Sequence, residues 1–104
     1  MYVAAARGGY TGKPRLVVVM QDDRFDATAS VTVCPLTTNA LAAPLLRLEL
    51  EPSVANGLAQ ASQVMVDKVT TIPRANVGER LGLLDDADLI RLNRAVIVFL
   101  GLAG

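Results

Sequence analysis

The chain has 104 residues, 52% of them hydrophobic, so it is one ordinary domain (1–104), and a two-lobed mechanism would have to come from assembling copies. Ten basic residues balance ten acidic ones, which excludes a global polycation and confines any polyanion site to a local patch. Histidine is absent and Cys34 is the sole cysteine, which removes Ser-His and Cys-His nucleophile pairs, histidine or thiolate metal sites and an internal disulfide framework.

Met1 to Ala6 reads as a short strand, followed by Arg7-Gly8-Gly9-Tyr10-Thr11-Gly12, a loop whose glycines allow angles that a strand forbids. Arg15 to Gln21 holds the β-branched run Leu16-Val17-Val18-Val19-Met20, the mark of a central strand, and Pro14 sets its start. After the polar turn Gln21 to Asp26, Ser30 to Leu36 sets Val31, Val33 and Pro35 against Thr32 and Cys34 in period two, and ends in Thr37-Thr38-Asn39. Leu45 to Glu51 alternates Leu46, Leu48 and Leu50 with Arg47, Glu49 and Glu51, a half-exposed strand. Pro52 to Gln60 is a surface loop or one helical turn closed by Asn56-Gly57. Ser62 to Ile72 reads as a strand carrying Asp67 among apolar neighbours, and Leu81 to Leu84 as a last extended piece. Asp85 then caps a helix with Asp86 and Asp88 in its first turn and Leu89, Leu92, Val96, Phe99 and Leu100 as its apolar stripe. Its end is the weaker boundary, because Val96-Ile97-Val98-Phe99 favours strand. Five or six short strands and one terminal helix predict a small barrel-like, mostly antiparallel sheet with the helix packed across it.

The longest apolar run, Ala95 to Leu102, is far short of the ~18 residues of a membrane span. No basic and apolar leader opens the chain, so a soluble cytoplasmic protein is expected. The apolar surplus and the terminal helix point to a homodimer.

Three features carry chemistry. Gly12-Lys13-Pro14-Arg15 sets two cations beside a glycine-rich loop, which suits a phosphate or is an ordinary solvated strand start. Thr37-Thr38-Asn39 offers hydroxyls and an amide at a strand end, as ligand donors or as turn chemistry. Asp67 within an apolar segment is a structural ion pair or a functional carboxylate.

In order, Gly12-Lys13-Pro14-Arg15-Leu16-Val17-Val18-Val19, Val33-Cys34-Pro35-Leu36-Thr37-Thr38-Asn39 and Gln63-Val64-Met65-Val66-Asp67-Lys68-Val69-Thr70-Thr71-Ile72 resemble the MazF/PemK (Kid) toxin endoribonucleases. Gly82-Leu83-Leu84-Asp85-Asp86-Ala87-Asp88-Leu89 and Leu100-Gly101-Leu102 extend the resemblance over nearly the whole chain. It implies a mainly β fold with a C-terminal α-helix, a small SH3-like barrel of the CcdB/PemK type that forms a homodimer. It also implies sequence-specific cleavage of single-stranded RNA and inhibition by a MazE-like antitoxin. The reaction needs neither metal nor cofactor: the substrate's 2′-hydroxyl attacks the adjacent phosphorus, leaving a 2′,3′-cyclic phosphate and a 5′-hydroxyl. Arg15 matches the family's arginine and Thr37 its threonine; Asp67 stands where some members use an acid. Where some members place an arginine two residues before that acid, this chain has Met65, so the cation is expected from Lys68 or Lys13. Tyr10, Lys13, Gln21, Asn39, Lys68 and Arg74 are the candidate RNA contacts. The alternatives are a gyrase-binding CcdB-like toxin and a degenerate member that binds without cutting.

Overall fold

In the computed structural model, which describes residues 1–7, 15–20 and 27–102, the β-branched and alternating segments form strands. They are β1 (Tyr2–Ala6), β2 (Arg15–Val19), β3 (Ser30–Thr37), β4 (Arg47–Leu50), β5 (Ser62–Met65), β6 (Thr70–Pro73) and β7 (Val77–Leu83), followed by helix α1 (Asp86–Phe99). The strands run antiparallel in the order β4-β5-β3-β2-β1-β7, with β6 also on β3. The mainly β domain with a terminal helix is therefore as the sequence predicts.

β3 joins the two halves. One of its edges pairs β2, from Val17↔Pro35 to Val19↔Val33. The other edge is divided: Ser30 to Val33 take β6, while Leu36 and Thr37 take β5. Both faces of β3 are consequently buried. Cys34 and Leu36 join the main core with Val3, Val18, Leu50, Val64 and Leu92, and Val31 and Val33 join a second cluster with Ala4, Ala6, Val17 and Val19.

That divided edge corrects the reading of Ser62 to Ile72 as one strand. Between the pairs Leu36↔Val64 and Val33↔Thr70, β3 advances three residues and its partner six. The three surplus residues are taken up by a 3-10 turn, Val66–Lys68, which carries Asp67. β7 is also longer than the expected extended piece. Its start at Val77 is fixed by pairing with β1 through Ala6↔Val77 and Ala4↔Arg80, which the polar Gly78-Glu79-Arg80 does not announce. Among the described residues the strands thus number seven, where five or six were expected.

α1 starts where expected: the Asp88 N–H donates to Asp85 Oδ1 at 2.8 Å, satisfying one of the orphan donors of a helix start. Leu92 is fully buried, and Leu89, Ala95 and Val96 pack beside it. The rest of the expected stripe is corrected, because Phe99 and Leu100 lie beyond the core and are exposed. The helix nevertheless holds to Phe99 despite its β-branched run. Gly101, at φ +75°, allows the Leu102 N–H to reach Ile97 O and the Gly101 N–H to reach Val98 O, a paired C-terminal closure. Among the described residues no helix is long and apolar enough to cross a membrane.

Cys34 is fully buried, with its thiol 3.1 Å from Met20 Sδ. Burial, reinforced by the Asp67 carboxylate, pushes the thiol from an ordinary 9.0 up to about 12. Between those values the unfolded chain has lost a proton that the folded chain keeps, so this contribution is intact below pH 9 and falls as pH rises. Wild type is expected to lose about 1.4 kcal/mol more than Cys34→Ala between pH 8 and pH 10. Urea midpoints of both proteins at the two pH values check this; parallel losses would refute it.

Candidate active site

Antiparallel pairing puts directly opposed side chains on the same face of a sheet. Thr37 pairs with Gln63, and Gln63 with Glu49 on the next strand. On the other side, the β2–β3 pairing ends at Val17↔Pro35, and Arg15 and Thr37 each lie two residues beyond that pair on the same face. Thr37, Gln63 and Glu49 therefore form one polar row across β3, β5 and β4, and Arg15 of β2 stands on the same face just past the last β2–β3 pair. The row lies at the strand end where β3 finishes.

Each of these side chains is held differently. Arg15 is exposed at the first position of β2. Thr37 is half-buried, and its Oγ1 accepts the Asn39 N–H at 3.1 Å. A hydroxyl has one proton and two acceptor sites, so this bond fixes the oxygen and leaves the proton to be donated outward. Gln63 is 6% exposed. Its Oε1 accepts the Leu41 N–H at 3.0 Å and its Nε2 donates to Leu41 O at 3.2 Å, so the loop after Thr37 is pinned to the strand beside it.

Asp67 lies off this row, on the turn beyond Met65. Arg47, the cross-strand partner of Met65, reaches it with Nη2 at 3.3 Å from Oδ2. The pair stands on the face of the row, one pleat repeat away, roughly 7 Å along the strand at ~3.3 Å per residue. Among the described residues the cation beside Asp67 is thus Arg47 and not Lys68, which is exposed on the turn; the expectation for Lys13 lies outside the described residues. Arg47 is the site residue that the sequence reading missed. The alternation of Leu46, Leu48 and Leu50 places it outward with Glu49 and Glu51, yet its side chain is only 11% exposed. The available signal was Met65 itself, an apolar residue opposite a strand cation and two positions before the acid.

Among the described residues Arg47 Nε and Asp67 Oδ1 are buried without a hydrogen-bond partner, and the monodentate pair is the contact that joins the two charges. Removing one member leaves the other uncompensated, a loss of ~3 to 5 kcal/mol in a fully buried pair. Because Asp67 keeps 27% exposure, Arg47→Ala is expected near the lower limit, roughly 3 kcal/mol. Replacing both residues, as in Arg47→Met with Asp67→Asn, should cost less than Arg47→Ala alone. Thermal and urea unfolding decide, and additive losses would show that the pair is not coupled.

Among the remaining candidates, Asn39 and Lys68 are exposed. Arg74 is engaged: its Nε donates to Thr28 O at 2.6 Å and Nη2 to Thr28 Oγ1 at 3.1 Å, a clamp on the entry to β3. Tyr10 and Gln21, like Lys13, lie outside the described residues.

A family profile described as PemK-like, MazF-like toxin of type II toxin-antitoxin system matches residues 1–100. A protein of Mycolicibacterium smegmatis named "Probable endoribonuclease MazF" is 59% identical over 104 residues, all of this chain and 95% of that protein. Among solved structures, the Mycobacterium tuberculosis toxin MazF-mt6 is similar with a TM-score of 0.84 at 24% identity, covering 97% of each chain. A MazE-MazF structure from Deinococcus radiodurans matches at TM-score 0.76 and 19% identity, over 96% of this chain and 91% of that one. At these identities the structural likeness establishes the fold alone.

Proposed function

The chain belongs to the PemK-like, MazF-like toxin family of type II toxin-antitoxin systems, and on that premise we propose that it is an endoribonuclease cutting single-stranded RNA at a short sequence in the cytoplasm. The observation that carries this is full-length identity of 59% to a protein named as an endoribonuclease, supported by Arg15 and Thr37 lying on one face beyond the last β2–β3 pair. The substrate's 2′-hydroxyl attacks the adjacent phosphorus, the 5′-oxygen leaves, and a 2′,3′-cyclic phosphate and a 5′-hydroxyl result. No covalent protein intermediate forms and no histidine is needed.

Positioning and charge stabilisation then supply the catalysis. Arg15 neutralises the charge that builds on the phosphorane. Thr37, its oxygen held by the Asn39 N–H, donates to a nonbridging oxygen. Asp67, held by Arg47, is the candidate acceptor for the 2′-hydroxyl proton. Asn39 and Lys68 contact the RNA strand directly and Arg74 through the segment it clamps, with Tyr10, Lys13 and Gln21 as further contacts.

The protein works as a homodimer and is silenced by a MazE-like antitoxin. Ile90 and Ile97, seven residues apart on α1, are exposed, and so are Leu81 and Leu83 of the edge strand β7; exposed apolar side chains of this kind suit a second copy. A monomer by sedimentation at micromolar concentration would refute the dimer. The activity is tested by incubating the protein with mixed-sequence single-stranded RNA in EDTA and mapping the ends. Specific cuts bearing a 5′-hydroxyl and a cyclic phosphate are expected. A folded dimer that leaves a broad RNA pool intact would overturn the enzyme reading in favour of a binding-only toxin.

A further inference from the structure

We propose that the loop after Thr37 and the strand pair beside it form a cleft that accepts one unpaired RNA base next to the cut, with Gln63 as the positioning residue that sets which base fits. This inference rests on the endoribonuclease reading above and deepens it.

The cleft has a volume of about 290 Å³; Leu41, Ala42 and Pro44 stand on its loop side, Glu49 and Gln63 on the strands, and Arg91 on α1. That volume lies at the lower end for ligand clefts and suits a single planar ring system better than a nucleotide chain. Its place is fixed by the sheet: Gln63, which lines it, is the cross-strand neighbour of Thr37, so a base held here belongs to a nucleotide adjoining the phosphate at Thr37.

Its chemistry favours a neutral planar group over a phosphate. Arg47 is engaged by Asp67, and Arg91 Nη1 by Asp88 Oδ1 at 2.8 Å, so both cations that line the cleft are already neutralised. Alanine and proline side chains give an apolar wall for a ring face. Glu49, which is exposed, offers acceptor oxygens to the amino or imino edge of a base, the edge by which unpaired bases are read.

Gln63 itself does not read the base. Its amide is oriented by one accepted and one donated bond to the Leu41 main chain, and it is a buried polar side chain whose hydrogen bonds go to the loop wall. It therefore sets the width of the cleft. Gln63→Glu keeps the shape and the bond from the Leu41 N–H but turns a carboxylate oxygen toward Leu41 O, which loosens the wall. Ala42→Phe fills the cleft from an exposed loop position without touching the core.

The test cuts an RNA pool randomised on both sides of the cleavage site with wild type, Gln63→Glu and Ala42→Phe, and sequences the ends. Both variants are expected to melt as folded proteins and to leave the same end groups. Each should change the preference at one flanking position, by about tenfold in relative kcat/KM, the size of effect that a shape change in an apolar pocket gives. If Ala42→Phe blocks cutting, Ala42→Val reads the same preference with a smaller intrusion. Folded, active variants whose base preferences match wild type at every position would overturn the proposal and assign the cleft to something other than a base, such as an antitoxin side chain. Failure of wild type to cut RNA would instead overturn the endoribonuclease reading, and this inference with it.

Discussion

Arg15→Ala is expected to slow RNA cleavage by about 10³ to 10⁵-fold, roughly 4 to 7 kcal/mol of transition-state stabilisation, by analogy with arginines that neutralise charge in phosphoryl transfer. Arg15 is exposed at the first position of β2, so the loss should appear in kcat/KM while thermal stability stays within about 0.5 kcal/mol of wild type. Charge alone does not account for the choice of residue. A guanidinium presents a planar fork that two phosphorane oxygens can share, whereas an ammonium is a point charge, so Arg15→Lys should recover only part of the rate. Thr37→Ala removes a single donor and is expected to cost about 10² to 10³-fold. Cleavage by Arg15→Ala within tenfold of wild type would remove Arg15 from the chemistry.

The largest expected loss of stability has nothing to do with catalysis. A methyl group at Gly82 would stand 2.3 Å from Ala55 O and 2.3 Å from the Asn56 carbonyl carbon, both main-chain atoms. The turn that carries them is poorly placed to retreat. Asn56, itself 2% exposed, accepts the Ser53 and Leu58 N–H groups through Oδ1, donates Nδ2 to Glu51 O, and gives its own N–H to Ser53 Oγ. The Leu83 N–H also donates to Ala55 O at 2.8 Å, so moving the turn breaks its bond to β7. Gly82→Ala is therefore expected to destabilise by roughly 3 kcal/mol or more, at or beyond the usual range for overpacking, out of a total of about 5 to 15 kcal/mol. Gly78→Ala serves as the control, since its methyl would stand 3.3 Å from Ala5 O and should cost clearly less. Urea midpoints that rank the two variants the other way would show that the turn yields.

What the sequence discloses depends on how local the cause is. The β-branched run Leu16 to Val19 and the Asp85 cap act within a few residues, and both elements start where their residues place them. Arg15 and Thr37 are individually visible as a strand-start cation and a strand-end hydroxyl, but that they share a face beyond the last β2–β3 pair is a matter of register between two strands. The 3-10 turn at Asp67 is not local at all. It exists because β3 shares one edge between β5 and β6 and three residues are left over. The same holds for Arg47, whose alternation says outward while its partner arrives from a turn twenty residues later. Gln63 drew no notice for the same reason, since its hydrogen bonds go to the main chain of Leu41, also far away in sequence.

The strand order also governs when the toxin comes into being during its own synthesis. β1 is made before the other strands, yet one of its two edges stays open until β7 arrives: Tyr2 pairs with Leu83, eighty-one positions later. A nascent chain can close the β1–β2 and β2–β3 hairpins early, but the sheet is finished only when β7 has cleared the ribosome, and such long-range closure is slow. The polar row of Thr37, Gln63 and Glu49, with Arg15 on the same face, draws on four strands and needs residues up to Gln63 before it is whole. A chain released before Gln63 therefore lacks the full row, and one released before β7 leaves an edge of β1 unpaired.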